Sequence, residues 1–243
     1  MQKAESHYVW IDSFIVELGR MCNRVCKHCL RGPMEDVSIQ MEYVKRTLSQ
    51  CMGIDSITFS GGEPTLYSKE IIEIINFIIE NRIEVHSFYI ASNGEEYNHD
   101  LMCALIRFYA YTLEYDDGSM NAYEVSADQF HRPDNDVVAM LSAFAFFHKR
   151  PQIPTAGIIA EGYASSNNIG YRRLNYGKHF YIMEDCNQEY EYYRFEMLYL
   201  NALGYLYADC DYSYETQRNI DAPHCETKSL YEIARDENFS DIE

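Results

Sequence analysis

No stretch of this 243-residue chain stays apolar long enough to cross a bilayer. Its first residues, Met1-Gln2-Lys3-Ala4-Glu5-Ser6-His7, also lack the apolar core of a secretory signal. Together these absences argue against a membrane role and make the cytoplasm the expected setting. Basic residues are scarce: 20 Lys and Arg stand against 38 Asp and Glu, a formal net charge of −18. A surface that acidic repels phosphate backbones, so no nucleic-acid partner is expected. Internal repeats and low-complexity linkers are missing too, and the length fits one domain or one domain with a small appendage. An apolar content of 47% is ordinary for a chain that buries a real core. Tyrosine is abundant at 22 residues, many of them after Tyr163, where they can pack or line a pocket with polar tips. Cysteine is well supplied at eight, and in a reducing compartment such thiols are metal ligands or buried groups rather than disulfides.

Hydrophobic patterning orders the first two thirds of the chain. Residues 13–19, 54–60, 85–91, 123–127 and 155–160 read as five strands. Helical periodicity fills 39–51, 99–111 and 135–149, and is clearest after Ser68, where Ile71, Ile74, Ile75 and Ile78 fall at i, i+3, i+4 and i+7. Cys51 and Cys103 fall in these helices and are expected to be buried thiols. Strands and helices that alternate in this way argue for a parallel sheet with crossover helices. Ligand sites in such sheets form at the carboxyl ends of the strands. Every motif of interest here falls at one of those ends. After about residue 165 the rhythm is lost. There, residues 191–199 and 205–209 alternate around Asn201-Ala202-Leu203-Gly204 and read as a hairpin, and 229–234 as a short helix. A boundary near 185 then separates a core of residues 10–185 from a C-terminal cap of 186–243.

The loop after the first strand carries Cys22, Cys26 and Cys29 in the order Cys-Asn-Arg-Val-Cys-Lys-His-Cys. Protein-held iron–sulfur clusters usually take four cysteines, so a set of three leaves one iron open for chemistry. The rival reading is a zinc site of Cys₃His type that recruits His28 or a distant histidine. His28 lies between two of the ligands in sequence, which strains its use as a fourth.

The cysteine loop resembles the CxxxCxxC motif of the radical SAM enzymes, and Gly61-Gly62-Glu63-Pro64, closing the second strand, is similar to that family's second motif. The resemblance covers residues 10–160 well and implies a partial parallel (βα) barrel of α/β class. It implies that Cys22, Cys26 and Cys29 hold a 4Fe-4S cluster whose open iron binds S-adenosylmethionine. In the family, an electron from the cluster cleaves this cofactor to methionine and a 5′-deoxyadenosyl radical, which abstracts hydrogen from a substrate. His28 is then expected near the adenine. Gly61, Gly62, Glu63 and Pro64 are expected around the methionyl amino group, where glycine lets the backbone come close. Ser92 and Asn93 resemble the family's polar pair after the third strand. Ser126 and Asp128 resemble its Ser-x-Asp stretch, with Asp128 alternatively capping a turn, and His131 is expected as a solvated loop residue. Glu161 is expected on the adenine side, ending the fifth strand.

The tail resembles the SPASM and Twitch extensions of peptide-modifying members, in reduced form. Cys186, Cys210 and Cys225 could there hold an auxiliary cluster, but the fourth cysteine is missing and the expectation favours one cluster only. The resemblance thus implies an enzyme acting on a ribosomally made peptide. A small nucleotide or deazapurine-type metabolite is the alternative substrate, a glycyl-radical activase a third reading, and a non-enzymatic redox protein a fourth. The expected partners are the substrate, an electron donor such as flavodoxin or ferredoxin, and a separate leader-binding protein, since only about a dozen residues precede the first strand.

Overall fold

A computed structural model describes residues 8–150, 153–173, 177, 179–186 and 191–242. Five strands follow one another with helices between them. β1 is Tyr8–Glu17, β2 Cys51–Ser60, β3 Glu84–Ser92, β4 Ala122–Ser126 and β5 Phe147–Arg150. The helices between them are α1 (Met41–Leu48), α2 (Ser68–Asn81), α3 (His99–Thr112) and α4 (Asn135–Leu141). After a short helix α5 (Gly162–Ser166) come β6 (Phe180–Cys186), β7 (Glu191–Leu200) and β8 (Leu206–Tyr207). Helices α6 (Tyr214–Arg218) and α7 (Leu230–Ala234) and strand β9 (Ser240–Ile242) complete the chain.

The nine strands among the described residues form one sheet in the order β5-β4-β3-β2-β1-β7-β6-β9, with β8 paired to β7. Neighbours from β5 through β1 to β7 are parallel, whereas β6 and β8 run antiparallel to β7. No pairing joins β5 to β9 among the described residues, so the sheet is mostly parallel and not closed, consistent with the expected partial barrel. The division expected at 185/186 falls inside β6, a strand that pairs with β7. β7 also pairs along β1, from Tyr8↔Tyr192 to Val16↔Leu200. Among the described residues no helix is long and apolar enough to cross a membrane.

Alternation within the strands sorts side chains onto two faces. Phe14 and Val16, Ile57 and Phe59, and Phe88 and Ile90 enter the main core, where Ile71, Ile74, Ile75 and Ile78 of α2 cover them. Each of these four isoleucines is fully buried, contributing roughly 1.5–3 kcal/mol apiece. α2 ends at Arg82, which adopts a left-handed φ of 55°. Asn98 caps α3 by accepting from the Leu101 amide at 3.0 Å. The intervening residues, Thr58, Ser60, Tyr89 and Ala91, face a cavity on the other side of the sheet.

Two expected elements differ. The helix expected over 135–149 stops at Leu141, and Phe147–Arg150 becomes β5 on the edge beside β4. The strand expected at 155–160 is instead a 3₁₀ turn, Thr155–Gly157, followed by a lone bridge from Ile159 to Tyr171. Of the two thiols expected in helices, Cys51 opens β2 and is half-buried, while Cys103 lies in α3 but is exposed. The expected hairpin at Gly204 is present as β7 and β8.

Candidate functional site

At the carboxyl ends of β1 to β5 lies a cavity of about 470 Å³. Four strand ends supply its wall: Cys22, Cys26 and Cys29 after β1, Gly61 to Pro64 after β2, Ser92 and Asn93 after β3, and Ser126 at β4. The size falls in the range of small-molecule sites. Parallel strands explain the convergence, because each successive strand delivers its following loop to the same edge.

The cysteine loop is held from several sides. The amide of Gly62 donates to the Gly19 carbonyl at 2.9 Å, and that of Glu63 to the Met21 carbonyl at 3.0 Å. The Tyr67 hydroxyl accepts from the Met21 amide at 2.8 Å. Asn93 Nδ2 donates to Asn23 Oδ1 at 2.6 Å, and Arg24 Nε to Glu95 at 2.7 Å. On the far side, the amides of Tyr163 and Ala164 both donate to the Cys29 carbonyl. The loop is thus pinned to β2, β3 and α5 on either side of its three thiols.

This packing gives Gly61 and Gly62 a reason that differs from the expected one. A Cβ on Gly62 would lie 2.1 Å from the Met21 carbonyl oxygen. Gly61 has φ +147°, and its Cβ would meet the Gly19 oxygen at 2.6 Å. Both glycines therefore admit the cysteine loop's own backbone, and the amides at Gly62 and Glu63 are spent on it rather than on a ligand. Glu63 is 2% exposed and accepts from the Thr65 amide (3.2 Å) and hydroxyl (2.8 Å), from the Asn93 amide (2.9 Å) and from the Ser92 side chain. Burial pushes its carboxyl up against those donors. Its first task is to tie the β2 and β3 loops together. Pro64, buried, opens the 3₁₀ turn that Glu63 caps. Ser92 accepts from the Gly94 amide at 3.1 Å.

Asp128 does not line the cavity. It accepts from the Phe130 and His131 amides and from His131 Nδ1 at 2.9 Å, so it caps the turn and orients a ring. Burial pushes its carboxyl up, but the Phe130 amide and the His131 ring outweigh that and the net shift is downward. His131, expected in solvent, has a side chain only 13% exposed and lines the cavity. Its Nε2 stands 3.6 Å from Cys26 Sγ. His28 stacks on Phe130 with ring centroids 4.0 Å apart, and its Nδ1 is buried without a hydrogen-bond partner among the described residues. Burial and then His131 depress the pKa of His28. Glu161 stands outside the cavity, just before α5, where it accepts from Thr216 Oγ1 at 2.7 Å.

Beneath the loop is a buried ionic network that sequence reasoning missed. Arg20, fully buried, donates to Glu17 at 2.7 Å, to Glu35 at 2.8 Å and to Gln217 at 2.6 Å. Glu17 also accepts from the Tyr199 hydroxyl and, at 3.1 Å, from the Ala202 amide. Arg31 donates to the carbonyls of Cys210 and Tyr212 at 2.8 and 2.7 Å, and its guanidinium lies 5.1 Å from the centroid of the Tyr199 ring. A sequence signal existed: between Glu17 and Glu35 stand Arg20, Arg24, Lys27 and Arg31 with no carboxylate, in a chain of charge −18. Local cations offset the charge of thiolates gathered in one loop.

Burial pushes Cys26 up to about 11, with Cys22 and Cys29 adding to it, and burial raises Cys22, so a metal bound here would have to displace their protons. Among the described residues, the one group of three ligand atoms within 4.8 Å of one another is Asp209, Cys210 and Asp211. Cys22, Cys26, Cys29 and His131 therefore do not close around a single ion. A tetrahedral zinc with Zn–S bonds of about 2.3 Å needs sulfurs roughly 3.8 Å apart. A wider spread suits the corners of a cluster. In the tail, Cys225 belongs to the main core and Cys210 packs against a separate small core around Tyr199 and Tyr212. Arg173 already bridges Asp209 and Asp211 at 2.7 and 2.9 Å. The side chain of Cys186 lies outside the described residues.

No family model matches the sequence, and no curated protein matches it. Among solved structures, SuiB of Streptococcus suis, determined bound to precursor peptide SuiA, is similar at 13% identity with a TM-score of 0.49. The match covers 94% of this chain and 65% of SuiB, so the chain spans less than two thirds of that protein. A likeness at that level carries no functional conclusion.

Proposed function

We propose that this chain is a radical SAM enzyme, with Cys22, Cys26 and Cys29 holding a 4Fe-4S cluster and the surrounding strand ends holding S-adenosylmethionine. The observation that carries the reading is the convergence of three thiols with Gly61–Pro64, Ser92–Asn93 and Ser126 on one cavity of about 470 Å³. Two buried polar atoms of cavity-lining residues, His28 Nδ1 and the Tyr214 hydroxyl, have no hydrogen-bond partner among the described residues, which fits a site awaiting a polar occupant. When bound and reduced, such a cluster would supply the electron for reductive cleavage of the sulfonium, the chemistry that begins hydrogen abstraction from a substrate.

The chain's own residues do the rest. The cysteines bind, and the Gly62 and Glu63 amides fix the loop that carries them. His28, backed by Phe130, offers an aromatic face to the adenine, Ser126 offers a hydroxyl, and Glu63 has lone pairs left over for an ammonium. The substrate we propose is a ribosomally made peptide, on the wording of the cysteine loop, of Ser126–Asp128 and of the tail hairpin. A small nucleotide or deazapurine is the alternative.

One contact favours a second reading. His131, oriented by Asp128 and 3.6 Å from Cys26 Sγ, has the carboxylate–histidine arrangement of many metal ligands, although a Cys₃His zinc site would require Cys22 and Cys29 to draw in around it. Anaerobic reconstitution separates the two. The radical SAM reading expects about four irons per chain and, with a strong reductant, release of 5′-deoxyadenosine from S-adenosylmethionine. One tightly held zinc without iron uptake, or a full cluster signal in the Cys22/Cys26/Cys29→Ala triple variant, would sink it.

A further inference from the structure

We propose that the hydroxyl of Tyr214 donates a hydrogen bond to a sulfur of the cluster, an inference that rests on the function proposed above. Tyr214 is the first residue of α6, in the C-terminal region and far from the cysteine loop in sequence. The fold nevertheless makes it part of the cavity wall, and only 2% of it is exposed. Its amide donates to the Arg31 carbonyl at 3.0 Å, two residues beyond Cys29. Its ring rests on the guanidinium of Arg20, 4.5 Å from the ring centroid. Backbone and ring are therefore both fixed, and the hydroxyl cannot swing out to water.

That hydroxyl is buried and has no hydrogen-bond partner among the described residues. The acceptors of the adjacent network are occupied. Glu17 Oε1 receives Arg20 and the Ala202 amide, and Oε2 receives Tyr199 and Gln217. Gln217 Oε1 receives Arg20 and Asn201. Buried hydroxyls are almost always satisfied, so the acceptor has to arrive with a ligand. Burial first, and then the charge of Glu17, keep the proton on the phenol against the opposing charge of Arg31. A cluster-bound thiolate or bridging sulfide accepts hydrogen bonds and donates none, which matches a lone donor. Such bonds stabilise the reduced, more negative cluster and so raise its potential.

The test compares wild type with Tyr214→Phe, both reconstituted anaerobically and titrated electrochemically under electron paramagnetic resonance. The variant should keep about four irons yet be harder to reduce. Its reduction equilibrium should fall by up to tenfold, a midpoint drop of up to about 59 mV for one electron. In deuterated buffer, the wild type should show an exchangeable deuteron coupled to the cluster that the variant lacks. Tyr207→Phe is the control, since its hydroxyl is engaged by the Gln217 carbonyl at 3.0 Å and it does not line the cavity. It should change neither readout. Equal midpoints in wild type and Tyr214→Phe, or a like shift in both variants, would overturn the proposal. If Tyr214→Phe does not fold, the wild-type deuteron measurement decides by itself, and its absence overturns the proposal. A wild type that assembles no iron cluster would instead refute the functional reading.

Discussion

Replacing Gly62 with alanine separates two reasons for a glycine at this turn. If the residue is small so that a ligand can approach, the ligand-free protein should tolerate a methyl group. The structure argues otherwise, because the added Cβ would lie 2.1 Å from the Met21 carbonyl oxygen and 2.6 Å from its carbon. Ordinary contact distances require the two segments to part by about 1 Å. That separation disrupts the paired hydrogen bonds from Gly62 to Gly19 (2.9 Å) and from Glu63 to Met21 (3.0 Å). Each bond has a net value of about 0.5–1.5 kcal/mol, and the overpacking adds to the loss. We expect Gly62→Ala to destabilise the cluster-free protein by about 2–4 kcal/mol in urea denaturation, and to lower iron uptake because Cys22 follows Met21. Gly157→Ala is the control: nothing lies within 4 Å of its added Cβ, so its stability should stay within about 0.5 kcal/mol. A Gly62→Ala protein as stable as wild type in the absence of ligand would refute the packing argument and return the glycine to ligand access.

Arg20→Ala should cost about 3–5 kcal/mol in the same assay, because it strands the buried carboxylate of Glu17; a loss under about 1 kcal/mol would mean the network is not buried as described. Glu35 gives a pH prediction. Burial pushes its carboxyl up, but hydrogen bonds and charge from Arg20 and Arg218 outweigh this, and its pKa lies below the usual 4.5. A carboxyl with a lowered folded-state pKa stabilises above that ordinary value, and the contribution fades as pH falls through the folded pKa. Thermal melts from roughly pH 6 to 3 should therefore show a shallower acid loss in Glu35→Gln than in wild type, and parallel curves would contradict the pairing. Iron content should be the same in wild type and in the Cys210→Ala/Cys225→Ala double variant, about four per chain; a fall by half from about eight would reveal an auxiliary cluster.

The repeating units of the fold were legible because they depend on neighbours along the chain. The isoleucines of α2 mark a helix by their spacing alone, and Ile54 to Ser60 mark a strand within β2. Once strands and helices alternate, chirality and parallel pairing bring the cysteine loop, Gly61–Pro64, Ser92–Asn93 and Ser126 to one edge without further information. Local pattern failed where two periods fit the same residues. Phe144, Phe146 and Phe147 can continue a helix or build a strand, and no glycine or proline marks the turn after Leu141. It failed again wherever partners are remote. Arg20 meets Gln217 across 197 residues, and β7 lies between β1 and β6 rather than capping the sheet. The cysteine spacing also said nothing of why Gly62 is glycine, of the Asp128–His131 pair beside Cys26, or of Tyr214 over Arg20. Those contacts are chosen when long segments close onto one another and buried polar groups must find partners. That selection depends on the whole packed structure, and local sequence hints only at its charge balance and its turn caps.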